Sequence, residues 1–206
     1  MCKARPRQNN ASSSSMTQAF TTANVAGNLI VAAVSWGSNA SVTCSDSQGN
    51  SYSVATTQYD ITNVQSLAIC YAANVKGGAN TVTATFSGST GYRRLLIHEY
   101  QGIALVNPVD VVATNIANGT TASNAITSGA AVTTASGDLI FGAVMDDSGI
   151  ISSITAGTSF TQRLSVNNKD MATEDLVQVT AGSIAATHTF GGAHRYLAQM
   201  VAFKHQ

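Results

Sequence analysis

The chain has 206 residues, of which 44% are hydrophobic and only 10% charged, with ten Lys plus Arg against ten Asp plus Glu. A chain without net charge lacks the overall basic balance that releases counterions from a phosphate backbone, so nucleic acid is not an expected partner. No apolar run is long enough to span a bilayer, so membrane insertion is not expected either. The hydrophobic share suffices for a core, and Ser, Thr, Asn, Gln and Gly must cover the surface, as in secreted, appendage and virion proteins.

In chain order, Lys3, Arg5 and Arg7 precede the polar tract Gln8 to Ser15, and residues 1–18 read as a tail or linker with no signal-peptide apolar region. Residues 19–206 then contain one pattern twice. Ala26-Gly27-Asn28-Leu29-Ile30-Val31-Ala32-Ala33-Val34 matches Ser136-Gly137-Asp138-Leu139-Ile140-Phe141-Gly142-Ala143-Val144 without a gap. Ser51-Tyr52-Ser53 falls opposite Ser159-Phe160-Thr161, and the Thr81–Phe86 segment opposite Ala185–Phe190. Both copies close on an apolar strand, Tyr92–Tyr100 in one and Arg195–Phe203 in the other.

Runs rich in Thr, Val, Ile, Tyr and Phe, separated by Gly, Asn, Asp and Ser, read as strands, and no helical spacing is sustained. The expected fold is all-β: a two-sheet antiparallel sandwich of jelly-roll type built from an internal duplication. The repeats cover about 24–105 and 134–204, are joined by a strand and loop segment, and share one core, because each is near the lower size limit for folding alone. Leu29, Ile30, Val34, Tyr52 and Phe86, with partners Leu139, Ile140, Val144, Phe160 and Phe190, are the expected core. Cys44 and Cys70 fall on strands, so a disulfide between them and two separate buried thiols are both open.

The ordered series Ala-Gly-Asn-Leu-Ile-Val, Asp-Ser-Gln-Gly-Asn-Ser-Tyr, Tyr-Ala-Ala-Asn-Val, Glu99-Tyr100-Gln101-Gly102-Ile103, Asn-Pro-Val-Asp and Gly-Asp-Leu-Ile-Phe-Gly, over roughly residues 20 to 204, resembles uncharacterised β-sandwich domains of bacterial secreted and surface multidomain proteins. The resemblance implies an extracellular or cell-surface adhesive, structural or carbohydrate-binding role and carries no catalytic residues with it.

What both copies share serves the fold, and groups present in one copy are freer to serve something else. Trp36 has Asp146 as its ungapped counterpart, so its indole is a candidate platform for a sugar ring, with closure of the core as the alternative. Tyr59 and Tyr92 are further aromatic candidates for ligand binding. The segment Asp46-Ser47-Gln48-Gly49-Asn50 spaces side-chain oxygens like a calcium loop but lacks the later Glu, so a hydrogen-bonded turn competes with it. Asp146 and Asp147 are a second weak cation candidate; otherwise no metal or cofactor is expected. Glu99 with Glu174 or Asp175 could supply the two carboxyls of a glycosidase, against a buried carboxylate paired with an Arg on the face shared by Glu99 and Arg93. His98 and His194 read as hydrogen-bonded side chains, and no Gly-x-Ser-x-Gly elbow occurs.

The resulting expectation is a non-catalytic module binding polysaccharide or cell-surface glycan. The alternatives are a self-associating subunit of a fibre, surface layer or phage particle, and a hydrolase using paired carboxylates.

Overall fold

The computed structural model describes residues 3–116, 122–146 and 151–206. In the first copy eight strands follow one another: β1 (Lys3–Asn9), β2 (Ser13–Ala19), β3 (Leu29–Trp36), β4 (Val42–Asp46), β5 (Ser53–Asp60), β6 (Gln65–Ala72), β7 (Thr81–Thr90) and β8 (Arg93–Tyr100). They form a five-stranded sheet in the order β1-β8-β3-β6-β5 and a three-stranded sheet in the order β2-β7-β4. The second copy contains β9 (Val109–Ile116), β10 (Ser123–Thr127), β11 (Ala131–Val132), β12 (Asp138–Asp146), β13 (Ile154–Ala156), β14 (Thr161–Ser165), β15 (Met171–Gln178), β16 (Ser183–Ile184), β17 (Thr187–His194) and β18 (Tyr196–Phe203). Its sheets run β14-β15-β12-β18-β9 and β10-β17-β13, which is the same order strand for strand, with β11-β16 as an added ribbon. The orders 1-8-3-6 and 2-7-4 are those of a jelly roll in which the fifth strand has joined the larger sheet.

Each copy therefore builds its own two-sheet sandwich, and the two five-stranded sheets stack face to face as middle layers. Between the first copy's sheets lie Ile30, Val34, Trp36, Val82, Phe86 and Ile97, among others. Between the second copy's sheets lie Val144, Ile154 and Phe190, with Ile140, Met200 and Ala202 under the β11-β16 ribbon. A further core of Leu29, Val31, Leu67, Ile69, Leu96, Phe141, Met145, Val201 and Phe203 joins the copies. The halves are joined by this seam core, and each also has a core of its own. The expected core residues are buried, except that Tyr52 and Phe160 are half-buried at its margins.

This layering accounts for two kinds of strand. The central strands of the middle layers are covered on both faces, so β3, β8, β12 and β18 are buried at every position and read as nearly continuous apolar runs. Outer-layer β7 faces water on one side and starts with strict alternation, Val82, Ala84 and Phe86 inward and the threonines outward.

Residues 3–18 are not a tail. Lys3 to Asn9 pairs antiparallel with Arg93 to Glu99, and most of Ser13 to Ala19 with β7. Both are edge strands, held by backbone hydrogen bonds that carry no side-chain pattern, and polar edges discourage pairing between molecules. Cys44 of β4 and Cys70 of β6 are joined by a disulfide, Cα to Cα 6.4 Å, which ties the outer sheet of the first copy to its middle sheet.

Candidate functional site

Trp36 ends β3 at 1% exposure, its ring 5.3 Å from that of Phe86 and its Nε1 donating to the Ala40 carbonyl at 2.9 Å. It closes the first copy's core and offers no face to a sugar, which corrects its assignment as a platform. The strand end faces the outer sheet rather than solvent, and sequence cannot tell those environments apart. Tyr59 is half-buried on β5. Tyr92 is 58% exposed in the turn between β7 and β8, at a left-handed φ of 50°.

The carboxylates are sorted by the sheets that carry them. On β8, Leu95, Ile97 and Glu99 point to the first copy's own core, while Leu96 and Tyr100 point to the seam between the copies. Glu99 is buried and fully engaged. Its oxygens accept from Asn24 Nδ2, Val25 N and Asn28 Nδ2 at 2.9, 2.6 and 2.8 Å, and Lys3 Nζ stands 2.9 Å away. Burial works to raise its pKa, yet these donors together hold it below the ordinary value. Glu99 thus pegs the 24–28 loop and the first strand onto β8. Its cation is Lys3, not the expected Arg93.

Glu174 of β15 points to the outer side of the second copy's middle sheet, so both middle sheets separate it from Glu99. The two cannot flank one glycosidic bond, and the paired-carboxylate assignment is corrected on that ground. The pairing registers place Glu174 where the first copy has Cys70, since Cys70 lies opposite Ala32 and Glu174 opposite the corresponding Gly142. Gly142 makes the room: a Cβ there would come within 2.7 Å of Ala186 Cβ and 2.9 Å of Glu174 Cγ. Burial pushes Glu174 up to about 7 despite hydrogen bonds from the Gly157 and Thr187 amides. Beside it, burial pushes His188 down to about 3, with Nε2 3.6 Å from the carboxylate. His98 is pushed down to about 3 by burial and then by the Arg163 charge. Its Nε2 meets Thr173 Oγ1 across the seam at 3.2 Å.

The cation candidates resolve differently. Asp46 Oδ1 accepts from the amides of Gln48 and Asn50, and Oδ2 from Asn50 Nδ2, Asn80 Nδ2 and the Tyr52 hydroxyl. Asn50 Oδ1 accepts from the Lys76 amide. These oxygens are turned toward donors, the opposite of a calcium shell, and the segment is a hydrogen-bonded turn. Asp146 Oδ1 lies 3.5 Å from His194 Nδ1, and Asp147 falls outside the described residues. Among the described residues no group of three or more His, Cys, Asp or Glu could hold a metal ion.

What sequence reasoning missed is a cleft of about 300 Å³ at one end of the seam, to which both copies contribute. The β14–β15 pairing slips between Gln162 and Leu164, leaving Arg163 as the extra residue of a bulge, a device that re-aims a side chain. Arg163 Nε donates to Asp175 Oδ2 at 2.7 Å. Ile103, Leu139 and Val177 supply apolar surface, and Tyr100, Gln101 and His205 the remaining polar groups.

The first copy has the same bulge, with Ala55 in place of Arg163 and Tyr71 in place of Asp175. There Tyr71 packs edge-on against Phe203, ring centroids 5.7 Å apart. One end of the seam is thus filled by apolar groups, and the related end is open and charged. The clue in the sequence was Asp175 against Tyr71, visible once Met171–Gln178 is aligned with Leu67–Asn74.

Comparison with known protein families, with curated proteins and with solved structures finds no match for this chain.

Proposed function

We propose that the protein is a non-catalytic extracellular binding module that holds a polysaccharide in the cleft between its two copies. The observation that carries this reading is the asymmetry of the seam: the fold fills one end with Ala55, Tyr71 and Phe203, while the related end keeps Arg163, Asp175 and Tyr100 around open space. A sugar needs this mixture, with apolar surface for its CH groups beside planar charged and amide groups for its hydroxyls. The Cys44–Cys70 disulfide supports an oxidising compartment outside the cytosol, and the low charge suits a secreted surface.

The test is affinity electrophoresis across a panel of neutral and acidic polysaccharides. Wild type is retarded by at least one of them. Val177→Asp and His205→Ala, both exposed positions, release the retardation without altering the circular dichroism spectrum. If no polysaccharide retards the wild type, or if both variants bind as the wild type does, the reading is wrong.

A further inference from the structure

A second cleft, of about 310 Å³, lies at the other end of the first copy, at the connection between β1 and β2. Arg7, Arg93, Ser12, Ser13 and Ser15 are among the residues that line it. Arg93 opens β8 and is only 3% exposed. Its Nη1 donates to the Ser15 carbonyl and its Nη2 to the Ala11 carbonyl, while Nε is buried with no acceptor. Arg7 Nη1 donates to the carbonyl and the hydroxyl of Thr17 at 2.7 and 3.3 Å. Neither guanidinium makes an ion pair with a carboxylate among the described residues, unlike Arg94 and Arg163.

Burial, and then the charge of Arg7, lowers the pKa of Arg93. Two like charges sharing one cleft repel each other, and a buried charge without a counter-ion is costly.

The second copy shows what the fold itself requires here. The registers place Asn115 where Arg7 stands, Tyr196 where Arg93 stands, and Thr127 where Thr17 stands. Asn115 Nδ2 donates to the Thr127 carbonyl at 3.0 Å and meets the Tyr196 hydroxyl at 3.1 Å. A neutral Asn and Tyr therefore close the same corner through the same threonine carbonyl. The two guanidiniums of the first copy exceed that structural need.

We propose that the cleft at the β1–β2 connection is an oxyanion site, in which Arg7 and Arg93, with the hydroxyls of Ser12, Ser13 and Ser15, bind a sulfate or phosphate group. Guanidinium forks with adjacent hydroxyls match the tetrahedral oxygens of such a group, and its charge would relieve the repulsion between the arginines. The site is separate from the seam cleft and stands whether or not that cleft binds a glycan.

Isothermal titration with sodium sulfate and sodium phosphate, at ionic strength matched with sodium chloride, tests it. Wild type shows saturable binding that chloride does not reproduce, and Arg7→Gln, an exposed position, weakens it at least about tenfold, the effect of losing one charge-assisted contact. The double variant R7N/R93Y installs the neutral pair of the second copy and abolishes binding; should it fail to fold, the Arg7→Gln result decides alone. Retardation by dextran sulfate but not dextran, lost in Arg7→Gln, marks the anion as one carried on a glycan, whereas response to the inorganic ions alone marks a free ion. No saturable signal with either ion, or equal binding by Arg7→Gln, overturns the proposal.

Discussion

Reduction of the Cys44–Cys70 bridge should destabilise the first copy by an amount set by loop closure. The bridge spans 26 positions, and the chain-entropy relation assigns a loop of that length about 3.5 kcal/mol at 25 °C. Both sulfurs sit among the residues of the first copy's core, and a free thiol there packs as a small apolar group, so reduction isolates the cross-link from any cavity. With a urea dependence of about 2.5 kcal/mol per molar, typical of a chain this size, the midpoint should fall by about 1.4 M. Trp36 is the single tryptophan and lies in that same core, so its fluorescence reports the first copy while far-ultraviolet circular dichroism reports both. With the bridge intact the two signals should coincide, because the shared seam couples the copies. After reduction the fluorescence midpoint should move first. A loss below about 1 kcal/mol would refute the idea that the bridge limits the unfolded chain of this copy.

Acidification should weaken the seam through His98. Its folded pKa lies near 3 against about 6.5 unfolded, so the stability present above pH 6.5 is lost as pH falls toward 3. Between pH 6.5 and 4.5 the loss is about 2 kcal/mol. In that window Glu174, raised to about 7, gains stability as pH falls while His188, lowered to about 3, loses it. The two oppose each other, and His98→Phe should flatten the profile measured by urea unfolding.

Arg94, itself buried, holds Asp170 across the seam through Nε at 2.9 Å. Asp170→Ala should cost about 3–5 kcal/mol by stranding the guanidinium, and the double change R94M/D170L distinctly less, in denaturant unfolding. Gly142→Ala should cost about 1–3 kcal/mol in thermal unfolding, since the new methyl overlaps Ala186 and Glu174. Trp36→Phe should lower the melting temperature while leaving polysaccharide retardation unchanged, because the indole is core.

The candidate sites were legible only in part. Leu29, Ile30 and Val34 with Leu139, Ile140 and Val144 could be placed in the core because a duplicated apolar run must be covered in both copies. Trp36 could not, since an indole at a strand end has the same sequence whether it meets Phe86 or water. Residues 3–18 read as a tail because edge strands are held by amides and carbonyls, which every residue carries. Glu99 and Glu174 look alike as carboxylates in apolar strands, yet each pegs a different loop.

The sequence by itself determined the β class, the strands of the duplicated pattern and the duplication, because side-chain period and turn chemistry are local and both copies repeat them. Even the two kinds of strand were written there, the continuous run at Leu29–Val34 and the alternation at Thr81–Phe86. Only the tertiary structure decided that two sandwiches stack through their larger sheets, which carboxylates face each other, and which end of the seam stays open. Those outcomes depend on groups far apart in the chain meeting across a packed interface. A single substitution, Asp175 for Tyr71 or Arg93 for Tyr196, then changes what one fold leaves exposed to a ligand.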